Sequence, residues 1–133
     1  MTNSAEGSLL FVEDDDADIE LARRAFELEG FAPVLVIAHD GQEALERLQA
    51  GEKFDLIVTD IKMPRMTGIE LLAKIHADAV LSRLPVVVLT SSTEDDDRNM
   101  AREFGAKDYL QKPMMFEDWV PVIATLRKLL KRA

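Results

Sequence analysis

The sequence predicts an α/β fold, a five-stranded doubly wound parallel sheet in strand order 2-1-3-4-5. Three observations lead there. Short apolar runs alternate with helical patterns five times along the chain. The runs are unbroken, as in PVVVL at 85–89, which marks strands covered on both faces and so a parallel sheet. The 133 residues, 47% of them hydrophobic, suit one domain with a substantial core.

Taken in order, 8–13 (SLLFVE) is the first strand, and 17–29 follows with Ile19, Ala22 and Phe26 on one helical face. Gly30 stands where a left-handed cap would end that helix. Strand 33–38 (PVLVIA) precedes a helix over 41–50, which carries Ala44, Leu45 and Leu48. Strand 54–59 (FDLIVT) precedes a helix over 68–77 with Ile69, Leu72 and Ala73 inward. Strand 85–89 leads to a helix over 94–104, capped by Ser92 or Thr93, with Met100, Ala101 and Phe104 inward. A short strand at 108–111 and a helix over 116–131 complete the set. Right-handed crossovers leave few topologies for five such units. The flavodoxin-like (βα)5 order leads, and a Rossmann nucleotide fold is the competing arrangement. Residues 1–7 read as a loose tail before a single domain over 8–133.

The formal charge of −9 opposes non-specific nucleic-acid binding, which needs Lys and Arg along the phosphates. With no cysteine, disulfides, thiolate metal sites and thiol catalysis are excluded. No signal peptide or membrane-length apolar run is present, so the expected compartment is the cytoplasm.

In open parallel sheets, ligands bind beyond the carboxyl ends of the strands, near the point where strand order reverses. The strand ends here are Glu13-Asp14-Asp15-Asp16, Asp60, Thr90-Ser91 and Lys112-Pro113. Two carboxylates about 4 Å apart repel by roughly 4 kcal/mol at an effective dielectric near 20. A divalent cation removes that repulsion, and Mg²⁺ takes oxygen ligands while sharing its shell with phosphate. Glu13, Asp14 and Asp60 supply such oxygens, with the Thr90 hydroxyl and Lys112 ammonium opposite. The set fits in-line attack by a carboxylate on a phosphoryl donor.

Glu13-Asp14, Asp60, Thr90-Ser91 and Lys112-Pro113, in this order and spacing, resemble the signature of response-regulator receiver domains. The segment DIKMPRMTG at 60–68 is similar to that family's loop after its phosphoacceptor, and the resemblance runs from about Ser8 to Lys131. It implies a single-domain regulator of a two-component system, with 8–133 as the receiver domain and Asp60 accepting a phosphoryl group from a histidine kinase. Mg²⁺ would be held by Glu13, Asp14, Asp60 and the Lys62 backbone carbonyl, while Thr90 and Lys112 bind phosphoryl oxygens. Thr90 and Tyr109 would be the switch residues, and the bond before Pro113 would be cis. Stretches such as LLFVEDDDADIELARRAF resemble stand-alone regulators paired with phytochrome-like histidine kinases. The same resemblance implies a partner or homodimer surface on the fourth helix, fifth strand and fifth helix, near Met114, Met115, Phe116 and Trp119. Thr67, Lys62 and Ser92 depart from the commonest pattern, which bears on phosphoryl lifetime rather than on the chemistry itself.

Plainer readings fit some of these residues. Asp15 and Asp16 suit a helix N-terminus, where negative charge meets the dipole. The Asp14-x-Asp16-x-Asp18 spacing suggests a calcium loop, but Ile19 stands where the turn glycine belongs and Ala25 where the bidentate Glu belongs. His39 and His76 lack ligand partners at useful spacing. Three rival functions remain to be weighed. An aspartyl-phosphate phosphohydrolase needs an acid two residues beyond its nucleophile, where Lys62 stands. A nucleotide or flavin site would need glycines or hydroxyls after the first strand, where four acids stand. A degenerate receiver that is never phosphorylated would have no need of the full set of acids, hydroxyl and lysine.

Overall fold

A computed structural model describes residues 6–132. Chain order is β1 (Ser8–Val12), α1 (Asp16–Leu28), β2 (Val34–Ala38), α2 (Gly41–Gln49), β3 (Leu56–Thr59) and α3 (Gly68–Ala77). A 3-10 turn at Leu81–Arg83 then precedes β4 (Val86–Thr90), α4 (Asp95–Glu103), β5 (Asp108–Gln111) and α5 (Phe116–Arg132). The sheet order is β2-β1-β3-β4-β5 with every pairing parallel, as the sequence predicts.

Both faces of the sheet are buried because successive residues of each central strand enter opposite cores. Leu10, Val12, Ile57, Val86 and Val88 face the α2–α3 side, while Leu9, Phe11, Leu56, Val58, Val87 and Leu89 face α1 and α5. Each such side chain contributes roughly 1.5–3 kcal/mol by leaving water. Trp119 sits in the second core at 0% exposure, whereas Met114 (96%) and Met115 (56%) face solvent.

Local polar chemistry starts the helices. Asp15 accepts the Ala17 and Asp18 amides at the head of α1, and Asp40 accepts the Glu43 amide at the head of α2. Thr67 and Glu70 form a reciprocal capping box on α3. Gly30 has φ +64°, the left-handed cap expected of it. At α4 the N-cap is Glu94, with no side-chain cap bond. Ser92, expected there, lies two residues earlier and is tied to the head of α4 differently: its hydroxyl donates to the Asp97 side chain at 2.6 Å and accepts from the Glu94 amide. Ala101 is the one buried residue of α4, and Met100, expected inward, is 43% exposed.

Of the segment read as a loose tail, Glu6 and Gly7 are bonded to the chain entering β2, through Glu6 N–H to Ala32 O and Val34 N–H to Gly7 O. Residues 1–5 of that segment lie outside the described residues.

Candidate functional site

The sheet itself brings the strand-end residues together. The Glu13 amide donates to Ala38 O, the Asp60 amide to Val12 O and the Lys112 amide to Thr90 O, so the ladder extends one residue past β1, β3 and β5. Behind Asp60 the chain has no room for a side chain. A Cβ at Gly68 would lie 1.9 Å from the Asp60 carbonyl oxygen, which accounts for glycine at the end of that loop.

Lys112 is the centre of the charge arrangement. Its Nζ lies 2.6 Å from Asp60 Oδ2, 2.8 Å from Glu13 Oε1 and 2.9 Å from Asp18 Oδ2. The contact with Glu13 is an ion pair without hydrogen-bond alignment, and Glu13 Oε1 has no other partner among the described residues. Asp60 Oδ1 accepts the Ile61 amide at 2.6 Å. Burial pushes the Glu13 carboxyl up to about 7, against the lowering effects of Lys112 and the Asp15 amide. Burial alone would lower the pKa of Lys112, but its bonds to Asp60, Glu13 and Asp18 outweigh that and hold it protonated.

One oxygen from each of Glu13, Asp14 and Asp60 lies within 4.8 Å of the others. Such a donor set fits a hard divalent cation: three carboxylate oxygens this close repel one another, and two of the three carboxylates are buried. The three open into a cleft of about 500 Å³, lined also by Asp18, Lys62 and Lys112. Among the described residues no helix is long and apolar enough to cross a membrane.

The other expected residues take varied positions. Thr90 ends β4 at 1% exposure, with its hydroxyl accepting the Ser92 amide at 3.2 Å; Ser91 lines the cleft in its place. The Lys62 ammonium reaches across the mouth of the cleft to within 3.8 Å of Glu94, both exposed. Tyr109 is half-buried on β5, with the Arg98 guanidinium 4.7 Å above its ring and its hydroxyl 3.5 Å from Ser92 O. Burial raises the Tyr109 pKa. The bond before Pro113 is trans, not cis as the resemblance implies; the described residues contain no cis peptide. Trans is the lower-energy isomer of an X–Pro bond, and the Lys112 amide keeps its bond to Thr90 O in this geometry.

Two features escaped the sequence reading. Asp18 reaches Lys112 from the first turn of α1. Its signal was present, four residues after Asp14 and one helical turn along, but it was weighed only as part of a calcium loop. The second is Arg65, whose guanidinium grips the Asp40 carboxylate through Nε at 2.8 Å and NH2 at 3.2 Å. No periodicity links two residues 25 apart in separate loops.

Comparison with known proteins agrees with this geometry. The response regulator receiver domain family matches residues 9–124. Probable methanogenesis regulatory protein FilR2 of Methanothrix harundinacea is 38% identical over 83% of this chain and 74% of its own length. The chain spans about half the length of several other curated relatives, such as response regulator MprA of Mycobacterium ulcerans, to which it is 36% identical over 93% of this chain. Among solved structures, the phosphorylated cyanobacterial phytochrome response regulator RcpA superposes with a TM-score of 0.87 at 29% identity, covering 95% of this chain and 94% of that one. The Mn²⁺-bound form of response regulator Rcp1 gives 0.83 at 30% identity, covering 92% of each. Sheet order, strand-end chemistry and the span of the match converge, and the chain belongs to the response regulator receiver domains of two-component systems.

Proposed function

We propose that this protein is phosphorylated on Asp60 by a histidine kinase, in a Mg²⁺-dependent reaction, and signals through protein contacts or phosphorelay. The observation that carries the reading is the position of Asp60: 6% exposed at the end of β3, facing the acidic cleft, with Lys112 Nζ 2.6 Å from its Oδ2. Glu13, Asp14 and Asp60, with the Lys62 carbonyl, would hold the cation, which when bound supplies charge neutralisation for the phosphoryl oxygens.

The chain's own groups do the rest. Asp60 Oδ2 attacks phosphorus, an O–P bond forms, and the P–N bond of the kinase phosphohistidine breaks, its electron pair staying on the imidazole. Lys112, held protonated by its carboxylates, moves from Asp60 Oδ2 to the incoming phosphoryl oxygens. The Thr90 hydroxyl, released from the Ser92 amide, becomes available to the same oxygens, and Tyr109 lies beside that segment through Ser92 O. The protein is thus a phosphoacceptor that assists its own phosphorylation and slow self-dephosphorylation, not a turnover enzyme. Similarity to RcpA, a phytochrome response regulator, supports a phytochrome-like kinase as the donor.

Acetyl phosphate with Mg²⁺ should add the mass of one phosphoryl group, absent in Asp60→Asn and in chelator. No gain in the unaltered chain would leave the degenerate receiver standing, and rapid turnover of a phosphomonoester would favour the phosphohydrolase. We assign a phosphorylation-linked homodimer surface to α4, β5 and α5, where Arg98 covers Tyr109. Sedimentation of the same phosphorylated sample tests it, an unchanged mass counting against it.

A further inference from the structure

We propose that the Arg65–Asp40 pair is a brace that seats the loop between Asp60 and Gly68, and thereby sets how tightly the acidic cleft takes a divalent cation. Both are positioning residues, and the inference rests on the reading that this cleft holds Mg²⁺.

Arg65 has φ +64°, and it is the only non-glycine residue with positive φ among those described. A side chain held in that region requires surroundings that over-determine it. Here they are visible. The Met66 amide donates back to Pro64 O at 2.7 Å, closing a tight turn around Arg65. The guanidinium then meets both oxygens of Asp40, a two-pronged contact that fixes orientation as well as distance. Asp40 is itself anchored: it is 7% exposed and caps α2 through the Glu43 amide. Next to it the Gly41 amide donates to Met66 O at 3.2 Å, and a Cβ at Gly41 would stand 2.6 Å from that oxygen. The loop therefore rests on the Asp40-Gly41 step at two successive residues, Arg65 and Met66.

The same short loop carries Lys62, and its far end is tied by Gly68 N–H to Ile61 O. A loop already seated need not be ordered by the cation, so binding keeps more of its free energy. An ordinary surface ion pair would have neither the left-handed backbone nor a buried, cap-forming acceptor.

Two substitutions separate the brace from the fold. Arg65→Gly tolerates the positive φ while removing the guanidinium, at a residue whose side chain is 60% exposed. Asp40→Ser keeps an oxygen able to cap α2 while losing the two-pronged contact. Calorimetric titration of the full chain with Mg²⁺ alone should show affinity weakened roughly tenfold in each, the scale seen when support behind metal ligands is removed. The double variant should be no weaker than either single one, since both remove one interaction. Without metal, amide exchange at Gly41 should quicken in both. Unchanged affinity in the variants, or additive losses, overturns the brace while leaving the proposed function intact. Failure of the unaltered chain to bind Mg²⁺ overturns the reading of the cleft, and Gly41 exchange in metal-free protein then still decides whether the brace exists.

Discussion

Glu6 and Glu13 lie at opposite ends of the same sheet and are perturbed in opposite directions. At the amino end, Glu6 accepts the Ala32 amide and the Arg127 guanidinium, and these bonds hold its carboxyl below the usual range. Nearby, Asp55 accepts the Ser8 amide at 2.9 Å. Each charge there has a donor of its own, in a partly exposed setting. At the carboxyl end Glu13, Asp18 and Asp60 share one ammonium, and burial, only partly offset by Lys112, pushes Glu13 up to about 7. Structural carboxylates come matched with donors, whereas a site that must take up a cation keeps a deficit of positive charge.

The contrast can be broken most forcefully at Lys112. Replacing it with Met removes the one cation from three carboxylates, and urea unfolding in chelator should show a loss of about 3 kcal/mol. Mg²⁺ should restore part of that loss; equal stability with and without the side chain would mean the carboxyl end carries no deficit. Asp40→Ala should cost about 2 kcal/mol at neutral pH, from the lost α2 cap and the contact with Arg65. The bond from Arg65 lowers the Asp40 pKa. Its stabilisation is therefore complete above the unfolded value near 4 and fades as pH falls through the folded one, so the two unfolding curves should converge in acid. A gap that stays constant down to about pH 2 would show that ionisation plays no part. The smallest effect belongs to the amino end, where Asp55→Ala should lose about 1 kcal/mol, with no response to Mg²⁺ in the same assay.

Much of this was legible because parallel sheets make strand ends predictable. Unbroken runs such as PVVVL gave the strands, and the residues directly after them gave Glu13, Asp14, Asp60 and Lys112 as neighbours. What stayed hidden depends on side-chain reach and loop shape. Asp18 looked like a helix-start acid, and only the approach of α1 to β5 turns it toward Lys112. Arg65 looked like an unconstrained loop residue, since nothing local foretells a left-handed backbone there. Thr90 was correctly placed at the end of β4, but its hydroxyl serves the following turn. The isomer before Pro113 followed from family resemblance alone, and the chain does not have it. Apolar spacing grouped Met114, Met115 and Trp119 at the head of α5 without separating them: Trp119 is core, while the two methionines face solvent.

The helix whose only buried residue is Ala101 has a mechanical consequence. Sliding an element costs what its packed side chains must give up, and α1, with Ile19, Ala22, Ala25 and Phe26 embedded, is pinned by comparison. α4 has one small methyl in the core, and it begins five residues after Thr90. A disturbance at the end of β4 therefore meets, in α4, a helix that can shift with far less loss of packing than α1.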